Sequence, residues 1–128
     1  MKILYIDTTQ RTMKIELITD KGNHIFTNNL DNKKHDAIVA FETKKLLLAA
    51  NISFADLDAY AIGTGGTSWT GNRVGMTATK AFHMVYPHPI IMAISTEDAI
   101  QKFKTKTFAD PITLEPIYDS EFVVSKKS

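Results

Sequence analysis

The feature that most narrows the fold is Ile3-Leu4-Tyr5-Ile6, an unbroken apolar run near the start of the chain that ends at Asp7. A strand with one wet face alternates apolar and polar residues. An uninterrupted run instead needs cover on both faces, so this strand is expected at the centre of a sheet. Met13, Ile15 and Leu17 then alternate with Lys14 and Glu16, and Asp20-Lys21-Gly22-Asn23 offers turn chemistry before the β-prone stretch His24 to Asn28. Together these predict a three-stranded antiparallel meander. From about Lys33 to Asn51 the period is helical, with Asp31 or Asn32 as N-cap and Asn51 as the stop. Ser53 to Asp56 can cap one short turn, Ala59 to Ile62 reads as a strand, and about Asn72 to Tyr86 as a helix closed by Pro87 and Pro89. Ile90 to Ile94 is a fifth strand, and Ser95 opens a last helix. The order β-β-β-α-β-α-β-α predicts an α/β fold with a mixed five-stranded sheet covered by helices.

The chain is long enough, at 128 residues, to build one core without a disulfide or metal staple. It has no cysteine, which excludes thiol catalysis, zinc-thiolate sites and iron-sulfur clusters. With 15 basic against 14 acidic side chains, there is no whole-molecule field to grip a polyanion. No apolar stretch approaches the length of a membrane span, and Asp7 interrupts the only signal-like start, so a cytoplasmic address is expected. The expected organisation is a lobe over residues 1–101, followed by a partly irregular segment over 102–128, where the apolar residues scatter.

Candidate chemistry concentrates in two places. Gly63-Thr64-Gly65-Gly66-Thr67-Ser68-Trp69-Thr70-Gly71 joins a strand to a helix, where backbone amides can bind an anion. The dinucleotide fingerprint fails at Ser68, however, and no P-loop Gly-Lys-Ser/Thr follows. The preferred reading is that these glycines permit a tight connection. Asp7-Thr8-Thr9 ends the central strand with a carboxylate and two hydroxyls; a turn-stabilising role is preferred over a catalytic acid. Asp7, Thr8, Thr9, Gly65 and Gly66 remain the phosphate-site candidates. His24, His35, His83 and His88 lack metal-binding spacing, so no metal site is expected. Lys102 to Phe108 interleaves basic and aromatic residues, as a nucleic-acid contact can, but a solvated connector is preferred.

Helical phase supplies a further expectation. Ala37, Ile38, Ala40, Phe41, Leu47 and Leu48 fall in one broad stripe expected to face the sheet, with Val39 and Leu46 opposite. In the second helix Val74, Ala78, Ala81, Phe82 and Val85 form the expected inward stripe, with Met76, Lys80, His83 and Met84 across from it. Two neighbouring helices with apolar outer seams suggest a partner interface at Val39, Leu46, Met76, Lys80, His83 and Met84.

Ile3 to Thr9 and Ile62 to Gly75, with Ala78 to Phe82 following, resemble the bacterial TsaB (YeaZ) family, which has I-D-T near its start and G-x-G-P-G-S-F-T-G-x-R-x-G in the middle. The resemblance runs from Met1 to about Ile100. It implies the ribonuclease-H-like half-domain of the actin/Hsp70/sugar-kinase superfamily. It also implies a non-catalytic role in making N6-threonylcarbamoyladenosine (t6A) in tRNA, docked through two helices on a TsaD-type catalytic subunit, with a TsaE-type ATPase in the assembly. A homodimer through the same faces is expected in isolation, and tRNA is met only indirectly. Gly66 replaces the family's proline, and Leu114-Glu115-Pro116-Ile117-Tyr118 resembles its C-terminal E-P-x-Y almost directly after the first lobe, as in a shortened, one-lobed member. Thr96 and Ile100 stand where TsaD-like chains have metal-binding histidines. No cofactor of its own is implied, beyond a nucleotide shared at the partner interface. The rival expectation is a small enzyme, a glycoprotease-like hydrolase or nucleotide phosphohydrolase, centred on Asp7 and the glycine loop.

Overall fold

A computed structural model describes residues 1–10, 12–29, 35–66 and 69–110, without the side chains of 28–29, 35–36 and 69–73. The anticipated caps Asp31 and Asn32, the loop residue Ser68 and the E-P-x-Y segment lie outside the described residues. Strands β1 (Lys2–Asp7), β2 (Thr12–Thr19) and β3 (Gly22–Asn29) form the meander, followed by helix α1 (His35–Ala49) and strand β4 (Ala59–Gly63). Helix α2 (Trp69–Val85), strand β5 (Ile90–Ala93) and helix α3 (Thr96–Lys104) complete the order. The sheet order is β3-β2-β1-β4-β5. β1 lies at its centre, antiparallel to β2 with Leu4 opposite Leu17, and parallel to β4 with Ile6 opposite Ile62.

The uninterrupted apolar run of β1 is explained by cover on both sides. Leu4 and Ile6 join Met13, Ile15, Leu17, Tyr60, Ile62 and Ile90 beneath α1 and α2. Ile3 and Tyr5 join Ile18, Ala59, Ala61, Ile91 and Ala93 beneath α3. The alanines on that second face let a short helix sit close, while each large side chain on the first contributes roughly 1.5–3 kcal/mol by leaving water.

Element ends follow local chemistry. Asn51 adopts a left-handed φ of 57° after α1, and the Ile52 amide reaches back to the Leu47 carbonyl at 2.9 Å, satisfying a carbonyl the helix leaves free. Ser53 and Asp56 cap a single 3-10 turn, where hydrogen bonds from Ser53 hold the Asp56 carboxyl below its ordinary value. α3 begins with Ser95 Oγ accepting from the Asp98 amide at 3.1 Å. The expected division between residues 101 and 102 falls inside α3, and beyond it Ala109 bridges back to Ile90.

The helical phases differ from expectation. Val39 and Met76, expected to face outward, are 0% and 1% exposed, and Leu46 packs partly against the core. Phe41 and Leu48, expected inward, are exposed, Leu48 at 81%. α1 mixes apolar and polar residues on every side, so its periodicity carries almost no phase, and Val39, Thr43 and Leu47 form the row that packs. In α2, Gly75 and Thr79 set the inward direction through backbone approach and a hydroxyl, residues that an apolar count passes over.

Candidate functional site

The end of β1 forms a closed set of contacts. Asp7 Oδ1 accepts from the Thr9 amide at 2.9 Å and from Thr9 Oγ1 at 2.6 Å, while Gln10 Nε2 donates to Oδ2 at 3.0 Å. This is an Asx-type turn in which the side chain substitutes for backbone. Thr9 Oγ1 in turn accepts from the Gly66 amide at 2.9 Å, and Thr8 Oγ1 from the Gly75 amide at 2.9 Å. Asp7, Thr8 and Thr9 are all buried. Glycine is required around them by space. A Cβ on Gly63 would collide with the Asp7 side chain, one on Gly66 with the Thr9 carbonyl, and one on Gly75 would lie 2.7 Å from Thr8 Oγ1.

Four of the five phosphate-site candidates, Asp7, Thr8, Thr9 and Gly66, thus meet at one place and hydrogen-bond one another or the start of α2. Gly65 stands beside them, where a Cβ would be 2.6 Å from the Ile94 carbonyl. The Gly66 amide, the donor an anion needs, is committed to Thr9. The arrangement clamps the first hairpin, the glycine loop and α2 together.

A second polar cluster lies on the α3 side, and sequence reading missed it. Glu16, on β2, is 2% exposed and accepts from Thr96 Oγ1 at 2.5 Å and from Asn23 Nδ2 at 2.6 Å. Lys14 Nζ lies 3.7 Å from the Glu16 carboxylate, donates to Thr96 Oγ1 at 3.2 Å and sits 5.2 Å from the centre of the Tyr5 ring. Burial, with the negative charges of Asp7 and Glu16, pushes the Tyr5 hydroxyl well above its usual range. The missed signal was the neighbour itself. If β1 is covered on both faces, the even positions of the adjacent strand also pass under cover.

The remaining anticipated residues separate. Met84 is fully outward at 85% exposed, and Lys80 is half-buried. His83 belongs to an internal cluster, its Nδ1 donating to the His88 carbonyl at 3.0 Å and its ring edge-on to Tyr60. Tyr60 donates to the Tyr86 carbonyl at 2.7 Å, and burial pushes its hydroxyl up to about 12. Lys102 is engaged with the Met92 carbonyl at 2.8 Å and Asp98 at 3.3 Å, so the basic-aromatic stretch begins inside a helix. Among the described residues, no group of three His, Cys, Asp or Glu side chains could hold a metal ion, and no helix is long and apolar enough to cross a membrane.

Phe41 and Leu48 of α1 and Met84 and Val85 of α2 are exposed. The helices pack side by side; α1 links β3 to β4 and α2 links β4 to β5, and because β3, β4 and β5 all point the same way, the two helices run in the same direction. Leu48, Met84 and Val85 therefore lie toward the same end of the layer.

A mixed sheet ordered 3-2-1-4-5, with two helices on one face and one on the other, is the architecture of a ribonuclease-H-like half-domain, and the fold is similar to about half of YeaZ. YeaZ from Pseudomonas aeruginosa matches with a TM-score of 0.67 at 17% identity, over 83% of this chain and 50% of that one. An uncharacterized protein with similarity to peptidase YeaZ from Pseudomonas aeruginosa matches equally, at TM-score 0.67 and 17% identity, over 83% of this chain and 49% of its own. The chain thus spans about half the length of these neighbours. No family model matches it.

Proposed function

We propose that the chain is a non-catalytic partner subunit for a TsaD-type enzyme in tRNA t6A modification, acting in the cytoplasm and docking through the outer faces of α1 and α2. The observation that carries this reading is the exposure of Phe41, Leu48, Met84 and Val85, large apolar side chains left in water on two helices that pack against each other. The YeaZ-like fold supports it, as does the resemblance of Ile3–Thr9 and Ile62–Gly75 to the TsaB motifs. The interface differs from the one expected from helical phase: Val39 and Met76 are replaced by Phe41 and Leu48, and Met84 is retained. A TsaE-type ATPase completes the assembly, and any nucleotide is shared with the partner.

The test is co-elution of the chain with a TsaD-type protein, together with restored t6A in a reconstituted reaction. Leu48→Asp and Met84→Asp are expected to abolish co-elution while leaving circular dichroism unchanged. Unaltered co-elution of both variants refutes the interface. Phosphate release from ATP by the chain alone, lost in Asp7→Ala, refutes the non-catalytic role.

A further inference from the structure

At the end of the sheet away from the glycine loop, the helix cover stops short. Lys2 shares a face with Leu4 and Ile6, and His24 stands opposite Leu17, so both side chains leave the sheet on the side that packs beneath α1 and α2. α1 stops at Ala49, and between its end and the sheet lies a cavity of 440 Å³, floored by Ala50 and Ile52 and walled by Lys2, Thr19, Lys21 and His24. That volume is in the range of small-molecule sites.

The charge of this cavity is one-sided. Asp20 is the one acid lining it among the described residues, and the Met1 ammonium donates to Asp20 Oδ2 at 2.7 Å, which holds that carboxyl below its ordinary value. The Lys2 and Lys21 side chains make no ion pair among the described residues. Nor can the end of α1 readily satisfy them, because the carbonyls of Leu46, Leu47 and Leu48 already accept from the amides of Ala50, Ile52 and Asn51 at 3.1, 2.9 and 3.0 Å. Thr19 Oγ1 donates to the Gly22 carbonyl at 2.6 Å and accepts from the Lys21 amide at 3.2 Å, which fixes the turn that carries Lys21. Two ammonium groups and an imidazole therefore border one concavity in a chain whose net charge is only +1.

We infer that this cavity binds a small phosphate monoester, with the phosphate between Lys2 and Lys21, His24 beside it, and the carbon body against Ala50 and Ile52. A dianion answers two ammonium groups, and lysine binds phosphate as a point charge. The apolar floor favours an organic ester over the bare ion. No Phe, Tyr or Trp lines the cavity among the described residues, so a nucleic-acid strand would find no such ring on which to stack its bases. The site is distinct from the Asp7, Thr8 and Thr9 cluster, which lies at the other end of β1.

Titration of the full chain with butyl phosphate, followed through amide chemical shifts, tests the assignment. Saturable shifts are expected at Lys2, Asp20, Lys21, His24 and Ile52, with inorganic phosphate binding more weakly and butanol not binding. Lys21→Glu, at an exposed turn position, and Lys2→Gln should each weaken butyl phosphate binding by about tenfold or more, with unchanged circular dichroism. Ala50→Glu, which adds a carboxylate to the floor and leaves both lysines in place, should weaken it as well. Absence of saturable shifts overturns the inference. So does binding that ignores both lysine variants, equal affinity for inorganic and butyl phosphate, or tighter binding of a single-stranded oligonucleotide at the same residues. The outcome is independent of the partner reading, because none of these positions is among Phe41, Leu48, Met84 and Val85.

Discussion

The two faces of the sheet are held by different physics. Under α1 and α2 the contacts are large and apolar, with Leu4, Ile6, Met13, Leu17, Val39, Leu47 and Met76 all buried. Under α3 the sheet offers mostly alanines and isoleucines, and attachment relies on directed bonds: Glu16 to Thr96, Lys14 to Thr96, Lys102 to Met92, and Asp98 to the Ile94 amide. The first kind of contact is non-directional and scales with area, whereas the second depends on every partner remaining present. One face should therefore fail through cavities and buried charge, the other through orphaned polar groups.

The largest effect tests the first face. Val39→Asp places a carboxylate at a fully buried position among apolar side chains, and it should cost roughly 3–5 kcal/mol, enough to unfold most of the population. Urea denaturation measures this. A Val39→Asp chain that stays folded with an unchanged midpoint would show that α1 does not pack through this row. Next comes the join between the faces. Gly66→Ala drives a methyl into the Thr9 carbonyl and should destabilise by roughly 1–3 kcal/mol, read as a fall in Tm. Glu16→Ala tests the second face. It removes the acceptor of the half-buried Thr96 hydroxyl and of the exposed Asn23 amide and should cost about 0.5–1.5 kcal/mol, with amide exchange accelerated first in α3 rather than in α1.

Acid should also distinguish the faces. The Asp98 carboxyl is held below its ordinary 3.8, chiefly by the Ile94 amide and then by Lys102. A depressed folded-state value means that the stabilisation is complete above 3.8 and is lost as pH falls below it toward the folded value. Asp98→Asn should flatten that part of the stability curve, and exchange at α3 should rise on acidification before exchange at α1 does.

How much of this was legible in the sequence divides along the same line. The order of elements along the chain, the central β1 and the helix stop at Asn51 were readable because alternation, an unbroken apolar run and an asparagine after a helical stretch each carry a local physical meaning. The glycine loop was legible as a tight connection, and the collisions at Gly63 and Gly66 supply its reason. Helix orientation was not legible. α1 has apolar residues on both sides, and only the sheet beneath decides whether Val39 or Phe41 goes inward. Glu16 was hidden for a related reason: within its own strand it alternates as a solvent residue should, and it is buried by a helix that begins 80 residues later.

That failure of phase bears on the smallest predicted effect. Truncating Phe41, Leu48 or Met84 to serine removes side chains that water already reaches, so each should change stability by no more than about 0.5 kcal/mol. The same atoms are the ones a partner would cover, where a buried aromatic or aliphatic anchor contributes about 2 kcal/mol or more to binding. Folding and association therefore separate at these positions and coincide at Val39. A Phe41→Ser, Leu48→Ser pair that melts like the native chain but loses the TsaD-type subunit would mean that α1 uses its two apolar sides for different purposes. Destabilisation by several kcal/mol would instead place the outer seam inside the fold and remove the distinction.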